Sequence, residues 1–235
     1  MRMKPFIAAV MILICLPFLS FAQEEEGRDE VTVEELYLEN IELGLIRAQA
    51  MSTNRDAKLR ALENLEEMVE SGKITPESAD ALLLLDYLAM EGVSRQVRMN
   101  GRLINYFPMV RKKAVELLGK VKGETAKDIL LDVLSEDNEP MVKAEAAYAL
   151  GLIGLNENEE VTRALAYELM NQTAVAPDDN FAYAVMLSYE KIAAVNNGIR
   201  EPSVYLSLIQ VSQGNYVKAV REKALDVMDT LRTYG

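Results

Sequence analysis

The chain has no histidine and no tryptophan, and its single cysteine, Cys15, lies within the first 22 residues. Those residues open with Arg2 and Lys4, continue as an apolar run from Phe6 to Leu19, and close on Ser20-Phe21-Ala22 before a burst of acid. This is the pattern of a cleaved secretory signal. The run is short for a membrane span, which needs about 20 residues; an uncleaved anchor is the other reading. Ile12, Leu13 and Ile14 precede Cys15, where a lipid-attachment signal needs a small residue, so Cys15 reads as one more apolar residue of the signal. Cleavage after Ala22 removes it. The mature chain then has no disulfide, no cysteine nucleophile, no histidine base and no Cys/His zinc site. Exported without disulfides, it must be held together by its core, which fits a bacterial envelope, periplasmic or secreted.

Basic charge is also scarce. The full chain carries a formal net charge of −12. Without residues 1–22 it holds 23 basic against 37 acidic side chains, or −14. Such a chain is a poor general binder of nucleic acid or of an anionic membrane surface. The acidic runs Glu136–Glu139, Glu157–Glu160 and Asp178–Asn180 lack the alternating oxygens and glycine turn of a calcium loop. Each precedes an expected helix, where capping acids belong. No metal and no cofactor is expected. Asn171-Gln172-Thr173 matches the glycosylation sequon, a pattern short enough to arise by chance. Residues 23–30 (QEEEGRDE) are charged and unpatterned, and read as a disordered leader.

What the chain has is repetition. PMVRKKAVELLG, from Pro108 to Gly119, returns as PMVKAEAAYALG from Pro140 to Gly151, 32 residues later and identical at six of twelve positions. Pro140 suits a first helical turn, with Asp137 and Asn138 as possible caps. Val142, Ala146, Ala149, Leu150 and Ile153 fall on one helical face. Gly151 and Gly154 read as residues that loosen or end the second of these helices, and Gly119 lies near the end of the first. Residues 126–134 form a short amphipathic helix between the copies. The same rhythm pairs 31–49 with 55–70, 76–90 with 108–120, 159–171 with 179–195, and 202–213 with 216–232. A two-helix unit with a period of 30–45 residues indicates an all-α solenoid, here of about five antiparallel pairs. The repeat domain then spans 31–235.

These residues resemble the HEAT-repeat family, whose second helix reads D-x-x-P-x-V-R-x-x-A-x-x-A-L-G. Asp137, Pro140, Val142, Lys143, Ala146, Leu150 and Gly151 carry the pattern. Pro108, Val110, Arg111, Ala114, Leu118 and Gly119 carry it again without the leading Asp. Val220-Arg221 with Ala224 is a weaker copy, and Phe181 and Ala184 depart further. The resemblance implies a right-handed stack with second helices lining the concave face, and no activity. In it the recurring basic residue, here Arg111, Lys143 and Arg221, pairs with an acid of a neighbouring repeat, and Asp137 is the candidate. A direct ligand contact is the other reading.

One segment breaks the array. The second helices begin near 55, 108, 140, 179 and 216, so the first spacing is 53 residues where the others are 32, 39 and 37. Removing residues 91–107 (EGVSRQVRMNGRLINYF) leaves 36. Asn100-Gly101 is the favoured pair for a two-residue hairpin. The expected register sets Val97 against Ile104 and Arg95 against Tyr106. Two readings stand: a cap that tucks Tyr106 and Phe107 into the core, or a recognition element in which Arg95, Arg98, Arg102, Tyr106 and Phe107 contact a protein partner.

The expectation is a non-catalytic, exported scaffold or adaptor that binds a protein partner through the concave face and this Arg-rich insertion. A carboxylate-pair hydrolase is disfavoured by chain length and by the absence of tryptophan. The alternative is a HEAT-like lyase-type or carrier protein acting on a small ligand, a deep apolar pocket among second helices being its mark. A third is a self-associating envelope spacer. The oligomeric state is open.

Overall fold

The computed structural model describes residues 33–234, with side chains described from Ile41. The expected signal (1–22) and the expected leader (23–30) lie outside these residues. Ten α-helices pack against one another: α1 (Val33–Ala50), α2 (Arg55–Glu70), α3 (Ala79–Ala89), α4 (Pro108–Val121), α5 (Glu124–Glu136), α6 (Pro140–Ile153), α7 (Glu160–Val175), α8 (Asp179–Asn196), α9 (Pro202–Gln213) and α10 (Lys218–Arg232). Between α3 and α4 stand two short strands, β1 (Arg98–Met99) and β2 (Arg102–Leu103). Each odd-numbered helix pairs with the even-numbered helix that follows it. Odd helices touch odd neighbours and even helices touch even neighbours. The result is two layers of five, the solenoid expected from the periodicity.

The apolar stripes meet between the layers. Leu65, Leu118, Leu150 and Tyr189 occupy one repeat position on α2, α4, α6 and α8, and all are fully buried. Burying such a side chain contributes about 1.5–3 kcal/mol, which a lone pair of helices could not gather.

Some boundaries differ from the expected ones. Pro76 lies in a turn before α3, held where the Thr75 N–H donates to Ser78 Oγ at 3.0 Å. Tyr216 precedes α10, buried, with its hydroxyl 2.7 Å from that of Thr173. Gly154 does end α6, in a left-handed conformation at φ 75°.

Gly119 and Gly151 do not end helices. They lie inside α4 and α6, where the second-layer helices cross. A Cβ on Gly119 would sit 2.8 Å from that of Ala149, and one on Gly151 would sit 2.6 Å from Ser188 Cα. Absent side chains let these backbones approach. The second layer therefore packs more extensively around α6 than the first does around α5, the packing of an array bent toward its second layer. Gly151→Ala is expected to lower the urea midpoint, with a net loss of up to about 2 kcal/mol. Overpacking costs about 1–3 kcal/mol and outweighs the helix-propensity gain of about 1 kcal/mol. An unchanged or raised midpoint would remove the crossing role from Gly151.

Candidate functional site

The insertion is a hairpin. Asn100 (φ 50°) and Gly101 (φ 78°) both take left-handed backbone, as a type I′ turn requires. Arg98 pairs with Leu103 and Met99 with Arg102, and the Ile104 N–H donates to Val97 O at 2.9 Å. That is the expected register. Beyond Val97 the backbone ladder gives way to a side chain. Asn105 Nδ2 donates to Arg95 O at 2.7 Å, and Asn105 Oδ1 accepts from the Val97 N–H at 2.9 Å. Asn105 is buried and zips the base of the hairpin shut.

Below the hairpin lies a buried charge ladder. Arg111, on α4, donates from Nε to Asp137 Oδ2 at 2.6 Å and from NH2 to Asp137 Oδ1 at 3.1 Å. Both side chains are buried. Burial pulls the Arg111 guanidinium down, and the Asp137 hydrogen bonds and charge more than offset it, leaving Arg111 raised. Asp137 Oδ1 also accepts the Glu139 N–H at 2.8 Å, which fixes the turn into α6. A second rung is Lys58 on α2 with Glu91, Nζ to Oε2 at 2.9 Å, at side-chain exposures of 1% and 4%. This is a close ion pair that misses the alignment of a hydrogen bond at Oε2; Lys58 Nζ donates instead to Ala50 O at 2.5 Å. Burial pushes the Glu91 carboxyl up from its ordinary value, with Lys58 pulling it back.

Lys58 stands one repeat before Arg111, and Glu91 opens its interhelix loop as Asp137 opens the next. Lys143 follows Arg111 by one repeat, but that loop offers Ala176 in place of an acid, and Lys143 turns to Glu168 on α7 at 2.6 Å. Arg221 is exposed and forms no ion pair among the described residues. The Lys58–Glu91 rung went unread because the insertion stretches that spacing to 53 residues. One signal was present: Lys58 sits on the apolar stripe of α2, with Ala61, Leu62 and Leu65.

The five proposed contact residues divide into two groups. Arg95 is tied to Asp86 at 2.9 Å; its guanidinium and the Lys58 ammonium each lie 5.3 Å from the Tyr87 ring. Tyr106 covers the Arg111 guanidinium at 4.7 Å and donates its hydroxyl to Glu139. Phe107 is half-buried against the core at the start of α4. These three hold the hairpin to the stack. Arg98 and Arg102, at the tip, form no ion pair among the described residues. Arg98 donates only to Gln96 Oε1 and Gly101 O. Val97 and Met99 beside them are 50% and 60% exposed.

Through Tyr106 and Glu139 the hairpin adjoins an open groove of about 550 Å³ over α4, α6 and α8. Met141, Ala144, Tyr148 and Ala184 line it, with Glu139, Glu145, Asp178 and Lys112 among them. Met109 stands exposed on α4 at the repeat position of Met141. A cavity of about 470 Å³ opens on the first layer, between Leu83 and Ile129. The second layer thus offers an open groove where a lyase-type site would want a deep apolar pocket. Among the described residues no group of His, Cys, Asp and Glu is placed to hold a metal, and no helix is long and apolar enough to cross a membrane.

No curated protein matches the chain. The family model described as HEAT repeats matches residues 102–176, from β2 to the turn before α8. Such repeats generally mediate protein–protein interaction, and the family is typically non-catalytic. Over residues 102–176 the chain is thus similar to HEAT repeats, and the described helices stack in five pairs as an all-α solenoid.

Proposed function

We propose that the chain is a non-catalytic scaffold of the bacterial envelope that binds a protein partner through its second-layer groove and the hairpin tip. The observation that carries this is the pair Arg98 and Arg102. In a chain of strong negative charge they stand without acidic partners among the described residues, on a projecting turn, while Arg95 and Arg111 nearby are paired. Exposed arginines beside apolar residues are common interface anchors. Their position gives long-range steering, so association weakens as salt rises. The envelope location is supported by residues 1–22, whose pattern is that of a cleaved signal.

The test is cross-linked capture from native cells, fractionated first, with mass spectrometry of what is held. Wild type is expected in the soluble envelope fraction with one recurrent protein. Arg98→Glu with Arg102→Glu is expected to lose that protein by about 10-fold or more with an unchanged helical melt. A Lys218→Glu control keeps it. Capture that survives the double charge reversal removes the tip from the reading. No recurrent protein at all, or a cytoplasmic chain, removes the envelope-scaffold reading itself.

A further inference from the structure

The two halves of the proposed surface carry opposite charge, and each half has its own unspent capacity. The groove balances three carboxylates, Glu139, Glu145 and Asp178, against one cation, Lys112. Lys112 is 3.2 Å from Glu145 and already paired with it. Glu139 spends Oε1 on the Tyr106 hydroxyl, and Asp178 spends Oδ1 on the Phe181 N–H at 2.8 Å. Their second oxygens accept nothing among the described residues. Between them lies an apolar lining whose Met141 can reshape around a guest. The hairpin tip, by contrast, offers two guanidinium groups that form no ion pair among the described residues, Arg98 donating only to the neutral acceptors Gln96 Oε1 and Gly101 O.

We infer that the partner engages this surface with a charge-ordered polypeptide segment: an apolar residue flanked by basic ones in the groove, then an acidic stretch on Arg98 and Arg102. The inference rests on the scaffold reading and adds the chemistry of the occupant. Geometry sets the length. Tyr106 fixes the hairpin base to the groove rim at Glu139, and Arg102, at the start of β2, stands four residues before Tyr106, about 13 Å if that stretch is extended at about 3.3 Å per residue. An extended segment needs about four residues to cross from the groove rim to the tip, in addition to those lying in the groove. A uniformly basic segment would meet repulsion at the tip. A uniformly acidic one, a nucleic acid or an anionic lipid surface would meet it in the groove.

Fluorescence anisotropy on the full chain tests this with labelled synthetic peptides of about twelve residues. One has a Lys/Met/Leu half followed by a Glu/Ser half. Another has the same composition with the charges alternated. The segregated peptide is expected to bind at least about 10-fold tighter than the alternated one. Glu145→Gln and the double variant Arg98→Glu/Arg102→Glu should each weaken it several-fold, while the Lys/Met/Leu half alone responds only to Glu145→Gln. All variants are first checked for an unchanged melt. Equal binding of the two peptides, or indifference to both variants, overturns the charge order. So does binding to phosphatidylglycerol vesicles in place of either peptide. If the order fails while native capture still depends on Arg98 and Arg102, the scaffold reading survives without it. If capture fails too, the scaffold reading falls with it.

Discussion

Arg111→Met is expected to lower the unfolding free energy by about 3–5 kcal/mol, because it leaves the Asp137 carboxylate buried without its counter-charge. Asp137 is 2% exposed and would keep only the Glu139 N–H as a donor. For a domain of this size the loss corresponds to a fall of about 6–20 °C in melting temperature. The methionine replaces much of the aliphatic stem, so the effect reports charge more than volume. Adding Asp137→Leu should return most of the deficit, since an apolar pair of similar volume often matches a buried ion pair. The return should stop about 1 kcal/mol short, for the Glu139 N–H loses its acceptor. Urea titration of the two single variants and the double variant measures the cycle. A single-variant loss under about 1 kcal/mol would refute a structural rung here.

Lys58→Met is expected to cost about 3 kcal/mol at neutral pH and much less in mild acid. Glu91 is the cause of the pH dependence. Its folded-state pKa already stands above the ordinary value, so its ionisation opposes folding. A carboxyl raised in this way favours the fold fully below its unfolded pKa, and that favour is lost as pH rises through its folded pKa. Removing the Lys58 ammonium, 2.9 Å away, raises the folded pKa further and deepens the loss above it. The difference in urea midpoint between variant and wild type should therefore widen from about pH 4.5 to pH 7. A difference that stays constant over that range would mean that Glu91 is not the group left uncompensated. Glu91→Gln in the variant background should flatten the curve.

The parts of this molecule legible in its sequence were those whose cause is local. Helical faces recur every three or four residues, so the five pairs could be read directly, and Asn100-Gly101 announces its turn and thereby the register of the hairpin. The parts not legible depend on what lies across a gap. Gly151 reads as an interruption and Gly119 only as a residue near a helix end, because spacing along one helix does not reveal that Ser188 and Ala149 press against them from the next. Lys58 finds Glu91 across 33 residues and an uneven first repeat. Nothing in the sequence marks Asn105, yet its amide replaces a rung of backbone pairing. At the candidate site the arginines were visible as a group. Their division into bound and free depended on Asp86, Tyr87 and Asp137, which only the fold brings near.

The insertion also alters how the array should come apart. Repeat stacks ordinarily unravel unit by unit, since each repeat holds only its neighbours. Here Glu91 reaches back to α2, Asn105 closes the loop on itself, and Tyr106 reaches forward to the turn before α6. One excursion of the chain thus rivets three consecutive repeats together. Repeats one to three are therefore expected to open together in native-state hydrogen exchange, with α9 and α10 at the far end exchanging first. The hairpin, mounted on that block, would then sit on the part of the array that opens least often.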